Sequence, residues 1–351
     1  MRITKTSLIL LPLLSAACQL TYGQSKPEEQ SASGDLSVEV KAKNGDSESQ
    51  DEMGLAAEEL HHYAEAFKWF QLAAEQGLSK SQVKVGYFYD QGLGIHKDHV
   101  QAVHWYGLAA AQGDSQAEFD LAMCYYKGEG VESNNPAQNR AAAVKWFSAA
   151  LNQGYESAAN GLGLVYEFGS SPSDYKEALR WYKKGAELGD EEAEYNTCRL
   201  TIHGLGGPRD YSEALHWCSE AADGSTSYTS SWGQYGLGRI YEDGSGVPRD
   251  YSQAAEWYRK SAEQGNPASQ LRLADLYANG KGVKRDLVEA YMWSAVAGSL
   301  GEPDGMDKLK NLTPKMKETE VLKGQARARA WIEQHPRDPE DDPSENIHYP
   351  N

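Results

Sequence analysis

Basic residues are scarce in this chain of 351 residues. Its 34 Lys and Arg face 51 Asp and Glu, for a formal net charge of −17. That balance excludes the basic footprint nucleic acid requires and disfavours adsorption to anionic lipid. Long apolar runs are missing too: Ser7 to Leu14 is too short to span a bilayer as a helix. No His-Glu-x-x-His, Walker loop or dinucleotide fingerprint occurs. Two Ser-x-x-Lys segments, Ser81 to Lys84 and Ser173 to Lys176, have the form used by penicillin-interacting enzymes. The Ser-Asp-Asn and Lys-Thr-Gly elements that complete such a site are absent. No catalytic residue and no cofactor is therefore expected.

What the chain does have is a period. Trp69, Trp105, Trp146, Trp181, Trp217, Trp257 and Trp293 are spaced by 36, 41, 35, 36, 40 and 36 residues, each with Ala three positions earlier. Such self-similarity marks a stack of supersecondary units, none able to bury its own apolar face alone. In the clearest unit, Leu237 to Tyr241 reads as a short helix A, stopped by Gly244 and Gly246. Asp250 is placed to cap helix B, which carries Trp257 and ends at Gly265. Small residues at Gly86, Ala122, Gly163, Gly238 and Ala274 let helix A approach helix B. Each Trp and its aromatic neighbour (Tyr106, Phe147, Tyr182, Tyr258) are expected to fill the groove between units.

The Gly-x-Gly-Val loop, the Asp seven residues before Trp and the Ala-Ala-x-x-Gly ending together resemble the Sel-1-like repeat family. That resemblance implies an all-α, right-handed superhelical solenoid of helix–turn–helix repeats, related to the tetratricopeptide fold. It covers residues 53–301, six full units after a degenerate first one in which His62 stands where the Asp belongs. Val131 to Arg140 and Gly224 to Ser231 are insertions. Residues 302–335 read as a C-terminal capping helix opening at Thr313-Pro314. Its residues Met316, Val321, Ala326, Ala330, Trp331 and Ile332 would cover the last repeat.

The resemblance also implies that helix A lines a concave surface. The slots facing it hold Phe119, Met123 and Tyr126 in one unit, Tyr195 and Arg199 in another, and Tyr235 and Arg239 in the next, with Trp232 just upstream. Aromatic and Arg side chains are the usual anchors of interfaces, so a protein or peptide groove centred on Tyr195, Arg199, Trp232, Tyr235 and Arg239 is expected. Packing between units is the alternative use of the same aromatics. His96, His99 and His104 cluster in one unit. The slot of His104 is polar or charged in most other units, which reads as a solvated face, and no metal is expected.

The four cysteines divide by context. Cys198 takes the helix-A glycine position and Cys218 the aromatic position after Trp217, on facing helices of one unit. A Cys198–Cys218 disulfide is expected if the compartment is oxidising, with two buried thiols as the alternative. Cys124 aligns with core positions. Cys18 follows Leu14-Ser15-Ala16-Ala17, which resembles a lipoprotein box with its Leu one position further from the Cys than usual.

Residues 1–17 read as a signal peptide, with Arg2 and Lys5 before the apolar run. Lipidation at Cys18 would give a periplasmic or outer-membrane lipoprotein; ordinary cleavage after Ala17 or near Gly23 would give a secreted protein. Losing Arg2 and Lys5 takes the formal charge from −17 to −19. Residues 18–52 read as a disordered acidic tether and 336–351 as a disordered acidic tail. The function expected is a non-enzymatic interaction scaffold in the bacterial cell envelope. The rivals are a β-lactam or cell-wall hydrolase and a structural lipoprotein of an outer-membrane export assembly.

Overall fold

In a computed structural model, residues 37–336 are described, apart from 134 and 170. The segment read as a signal peptide, Cys18 and the tail beyond 336 lie outside them. The described residues form seventeen α-helices and one 3-10 turn, without strands. Two helices open the array, α1 (Val38–Lys43) and α2 (Ser47–Glu59), followed by α3 (Tyr63–Glu75). Next come α4 (Ser79–Gln91), α5 (His99–Ala110), α6 (Ser115–Lys127), α7 (Pro136–Asn152), α8 (Ala158–Glu167) and α9 (Pro172–Glu187). The rest are α10 (Glu191–His203), α11 (Tyr211–Ala222), α12 (Ser227–Asp243), α13 (Tyr251–Glu263), α14 (Pro267–Asn279), α15 (Leu287–Ser299), α16 (Pro303–Leu312) and α17 (Glu318–Gln334).

Even-numbered helices from α2 to α14 are the A helices, and each packs on the B helix that follows it. Every A helix also packs on the B helix before it, and α8 and α10 touch their neighbouring A helices directly. Within the repeats no two B helices are in comparable contact, so the A helices share one side of the stack. The array is an all-α solenoid, as its period requires.

Local chemistry sets the boundaries. Asp98, Asp210, Asp250 and Asp286 each accept two backbone N–H groups at the start of a B helix, meeting donors that have no partner inside the helix. His62 caps α3 without any such side-chain bond. The second glycine of each Gly-x-Gly loop has a further role. A Cβ on Gly130 would collide with the carbonyl of His99, the first residue of α5, and one on Gly282 would collide with the backbone of Tyr251, the first residue of α13. Both glycines also have positive φ, at 67° and 68°. Each loop is thus seated on the start of the preceding B helix.

The core differs from the expectation in one respect. In five units the buried aromatic is the residue after the Trp: Phe70, Tyr106, Phe147, Tyr182 and Tyr258 are all 3% exposed or less. Four of them lie on a small helix-A residue, since a Cβ on Gly54, Gly86, Gly163 or Gly238 would enter the ring of Phe70, Tyr106, Tyr182 or Tyr258. The tryptophans themselves, except Trp293, stay half-buried. Trp105, Trp181 and Trp257 reach back to the core cluster of the preceding unit. An indole at a seam covers two units at once, whereas the smaller ring fits between two helices.

A second connection runs through glutamine. Gln50, Gln82, Gln234 and Gln270 occupy one helix-A position and donate to Ala42, Ala74, Ala222 and Ala262, carbonyls near the end of the preceding B helix. Gln76, Gln112 and Gln264 in turn donate to Gln50, Gln82 and Gln234. Buried amides of this kind give a further donor to carbonyls near a helix terminus, which already accept a loop N–H or, at Ala222, the Ser230 hydroxyl. At the same position α6, α8 and α10 carry Glu118, Ala159 and Glu194.

Both ends depart from expectation. The segment read as disordered up to residue 52 is helical from Val38, and α2 is a complete A helix capped by Asp46. The buried apolar positions of α1 and α2 are the small residues Ala42, Gly54 and Ala57, while Leu55 is exposed. The C-terminal cap is two helices rather than one, joined by a 3-10 turn at Thr313–Lys315. Gly324 and Ala328 are buried, with Val321 and Trp331 partly so, while Ala326, Ala330 and Ile332 are exposed. The covering face therefore follows 321, 324, 328 and 331, one stripe of a helix.

Candidate binding face

The eight residues expected to line a groove fall into two patches. Phe119, Met123 and Tyr126 on α6 are half-buried against the core of α6 to α8. Phe119 lies 5.4 Å from Phe147 and 4.9 Å from Tyr155, ring to ring. Tyr126 borders a cleft of about 300 Å³ lined also by Ser133, Pro136, Asn139, Arg140 and Phe168. The first insertion supplies much of that lining. Phe168 is 75% exposed, and Arg140 is held at its edge by Asp174 at 2.6 Å.

The second patch spans α10 and α12. Insertion residues Gly224 to Ser231 start α12 one turn early, and Glu191 anchors the approach. Its carboxylate accepts from the backbone of Ser225 and Thr226 and from the Thr229 hydroxyl. The Ser225 backbone bond, chiefly, holds Glu191 below the usual carboxylate range. The added turn carries Tyr228, 45% exposed, beside Trp232. Trp232 lies tilted against Tyr195 at 5.7 Å and meets Tyr235 edge-on at 5.6 Å, and Tyr235 continues to Tyr258 at 5.9 Å.

The two arginines of this patch do different work. Arg239 is half-buried; it donates to the Tyr235 hydroxyl at 3.4 Å and lies 3.5 Å from Asp243. Arg199 is not an open anchor. Its side chain is 13% exposed and pairs at 2.6 Å with Glu167, 8% exposed. Burial opposes the charge on Arg199, but the Glu167 hydrogen bond and charge outweigh it and hold its pKa above the ordinary value. Glu167 accepts the Tyr182 hydroxyl as well, at 2.8 Å. Arg199 therefore ties unit to unit, and Tyr195, 5% exposed, supports the patch from beneath. Arg272 lies within electrostatic reach of Arg239. The α12–α14 end of the A-helix side thus carries two arginines, with Glu242 and Asp243 beside them. Around α4 and α6 the same side holds Asp90 and Asp120, and burial with Asp90 and Asp114 raises Asp120 to about 7.

Cys198 and Cys218 are disulfide-bonded with Cα atoms 5.0 Å apart. They occupy the positions that Gly238 and Tyr258 occupy in the next unit, so the bond replaces a glycine–tyrosine contact. Cys124 is buried and free, and burial first of all pushes its thiol up to about 12. In the first Ser-x-x-Lys segment both side chains are engaged in the fold. Ser81 is fully buried and donates to Asp51 at 2.6 Å, while Lys84 is paired with Glu58 at 2.8 Å. His104 lies exposed on the B-helix surface and His96 in its loop. Only His99 of that trio joins other ligand types, Asp90 and Glu129.

A stack of helical pairs joined by glycine loops, recurring along the described residues, defines a repeat protein of the α-solenoid class. The Sel1 repeat model matches residues 63–78, 79–114, 115–155, 156–190, 191–225, 233–266 and 267–302, and the chain belongs to that family. It is similar to c5321, a protective antigen of uropathogenic Escherichia coli strains displaying an SLR fold. Identity there is 27% and the TM-score 0.50, over 90% of this chain and 75% of that one. A Sel1 repeat protein from Oxalobacter formigenes shares the fold at 23% identity and TM-score 0.63, over 90% of this chain and 98% of that one. Comparison with curated proteins finds no match. Sel1 repeat proteins are generally protein-interaction scaffolds.

Proposed function

We propose that this chain is a non-enzymatic scaffold of the bacterial cell envelope that holds a protein or peptide along its A-helix side. Trp232, Tyr235 and Arg239 are the central contacts. The observation that carries the reading is the aromatic run Tyr228–Trp232–Tyr235, raised on a one-turn extension of α12 and flanked by Arg239 and Arg272. Such rings lose little entropy on binding, and arginine adds directional donors. The two arginines favour a partner segment with a carboxylate near its aromatic or aliphatic anchor.

The envelope assignment rests on the sequence of residues 1–17 and on a disulfide that an oxidising compartment sustains. Attachment through lipid on Cys18 to the outer membrane is part of the same proposal. Photocrosslinking from position 235 in cells tests the binding face, with position 69 on a B helix as control. A specific adduct from 235, lost in Arg239→Ala, supports the reading; equal labelling from both positions overturns it. Intact mass of the mature protein tests the lipid.

A further inference from the structure

In the solenoid frame each Gly-x-Gly loop is brought against the first turn of the preceding B helix. Most units fill that joint with packing residues. Tyr211 meets Ser245 through a side-chain hydrogen bond, and Lys281 lies 5.2 Å over the ring of Tyr251. One joint breaks the pattern at both positions together. There the helix begins with His99, the loop carries Glu129, and the last turn of α4 adds Asp90.

One ligand atom from each of these three residues lies within 4.8 Å of the other two. His99 Nδ1 is 2.9 Å from Asp90 Oδ1, with both side chains partly shielded at 28% and 21% exposure. Gln91 donates to the other Asp90 oxygen at 2.8 Å, the kind of outer contact that orients a ligand. Among the described residues neither Asp90 nor Glu129 is in an ion pair with lysine or arginine. The backbone holds the group together independently of its chemistry, because Gly130 abuts the His99 carbonyl just as Gly282 abuts Tyr251.

We propose that Asp90, His99 and Glu129 form a binding site for a divalent transition cation of the zinc type, clipping α4, α5 and the loop after α6. One imidazole with two carboxylates suits zinc, whereas calcium and magnesium favour all-oxygen shells. Zinc bonds near 2.0–2.2 Å place tetrahedral ligands about 3.3 Å apart, so His99 and Asp90, now 2.9 Å apart, would part slightly while Glu129 closes on them, leaving a fourth position for water. The site lies away from the aromatic patch on α10 and α12, and its failure would leave the binding-face reading untouched.

The test is calorimetric titration of zinc chloride into tag-free, chelator-treated full-length protein. His99→Tyr and Glu129→Ser install residues that other units carry at these positions, which keeps the fold intact; circular dichroism checks it. The expected result is one zinc per chain and a raised melting temperature for the wild type. Either variant should weaken binding by about 100-fold, the upper end of what losing even an outer partner costs. His96→Ala with His104→Ala should bind as the wild type does. Unchanged affinity in His99→Tyr and Glu129→Ser, loss of binding in the His96/His104 variant, or no binding by the wild type overturns the proposal.

Discussion

Glu194→Gln should stabilise this protein at neutral and alkaline pH and do so much less near pH 5. Glu194 occupies the helix-A position at which Gln50, Gln82, Gln234 and Gln270 donate to a carbonyl of the preceding B helix. A carboxylate cannot donate. Burial first, then Glu220, Glu191 and Asp190, raise its pKa from 4.5 to about 7. A raised carboxyl pKa means that the folded chain binds the proton more tightly than the unfolded one. The resulting penalty is absent below the unfolded value, grows as pH rises, and is complete above about 7. Taken at face value it amounts to about 3 kcal/mol. Glu194 is half-exposed, so solvent screening reduces this to about 1 kcal/mol. The restored amide–carbonyl hydrogen bond adds roughly 0.5–1.5 kcal/mol, the usual net value. Urea titrations of wild type and variant at two pH values read the difference directly. An expected gain of about 2 kcal/mol near pH 8 should fall to the hydrogen-bond part near pH 5. A gain independent of pH, or a loss near pH 8, refutes the reasoning.

Arg199→Ala should cost about 3–5 kcal/mol in urea titration, because it leaves Glu167 buried without its counter-charge, while Arg239→Ala should cost about 1 kcal/mol or less. Reduction should lower the stability of the wild type by about 3 kcal/mol, given the 20-residue separation of Cys198 and Cys218. The Cys198→Ala, Cys218→Ala variant should melt at one temperature with or without dithiothreitol. Gly282→Ala should cost about 1–3 kcal/mol through its positive φ alone, and more through the collision with Tyr251.

The Trp–Ala spacing was enough to place six units and to pair Cys198 with Cys218, because both follow from a frame repeated along the chain. What it misplaced was the division of labour within an aromatic pair. Tryptophan is the more visible marker, yet the following Phe or Tyr is the buried one, since only the smaller ring fits over a helix-A glycine. Helix α1 and the start of α2 were hidden for a related reason: the buried apolar positions of the two helices are Ala42, Gly54 and Ala57, not large side chains. The role of Arg199 was hidden by distance, as Glu167 lies 32 residues away in the neighbouring unit. Comparing opposite charges at facing positions of adjacent units would have exposed that pair, and the same comparison finds His99 with Glu129.

The glutamine amides have a consequence for how the array comes apart. They latch the joints α1–α2 and α3–α4 at one end and α11–α12 and α13–α14 at the other. The three joints between carry Glu118, Ala159 and Glu194 instead. In a one-dimensional stack the free energy of the whole is a chain of nearest-neighbour couplings, and a run of weaker couplings divides it into separately melting blocks. The Arg199–Glu167 and Asn196–Asn160 contacts secure α10 to α8 by other means, so the stretch without a latch is shorter, and pulling on the ends should part the array first between α5 and α8.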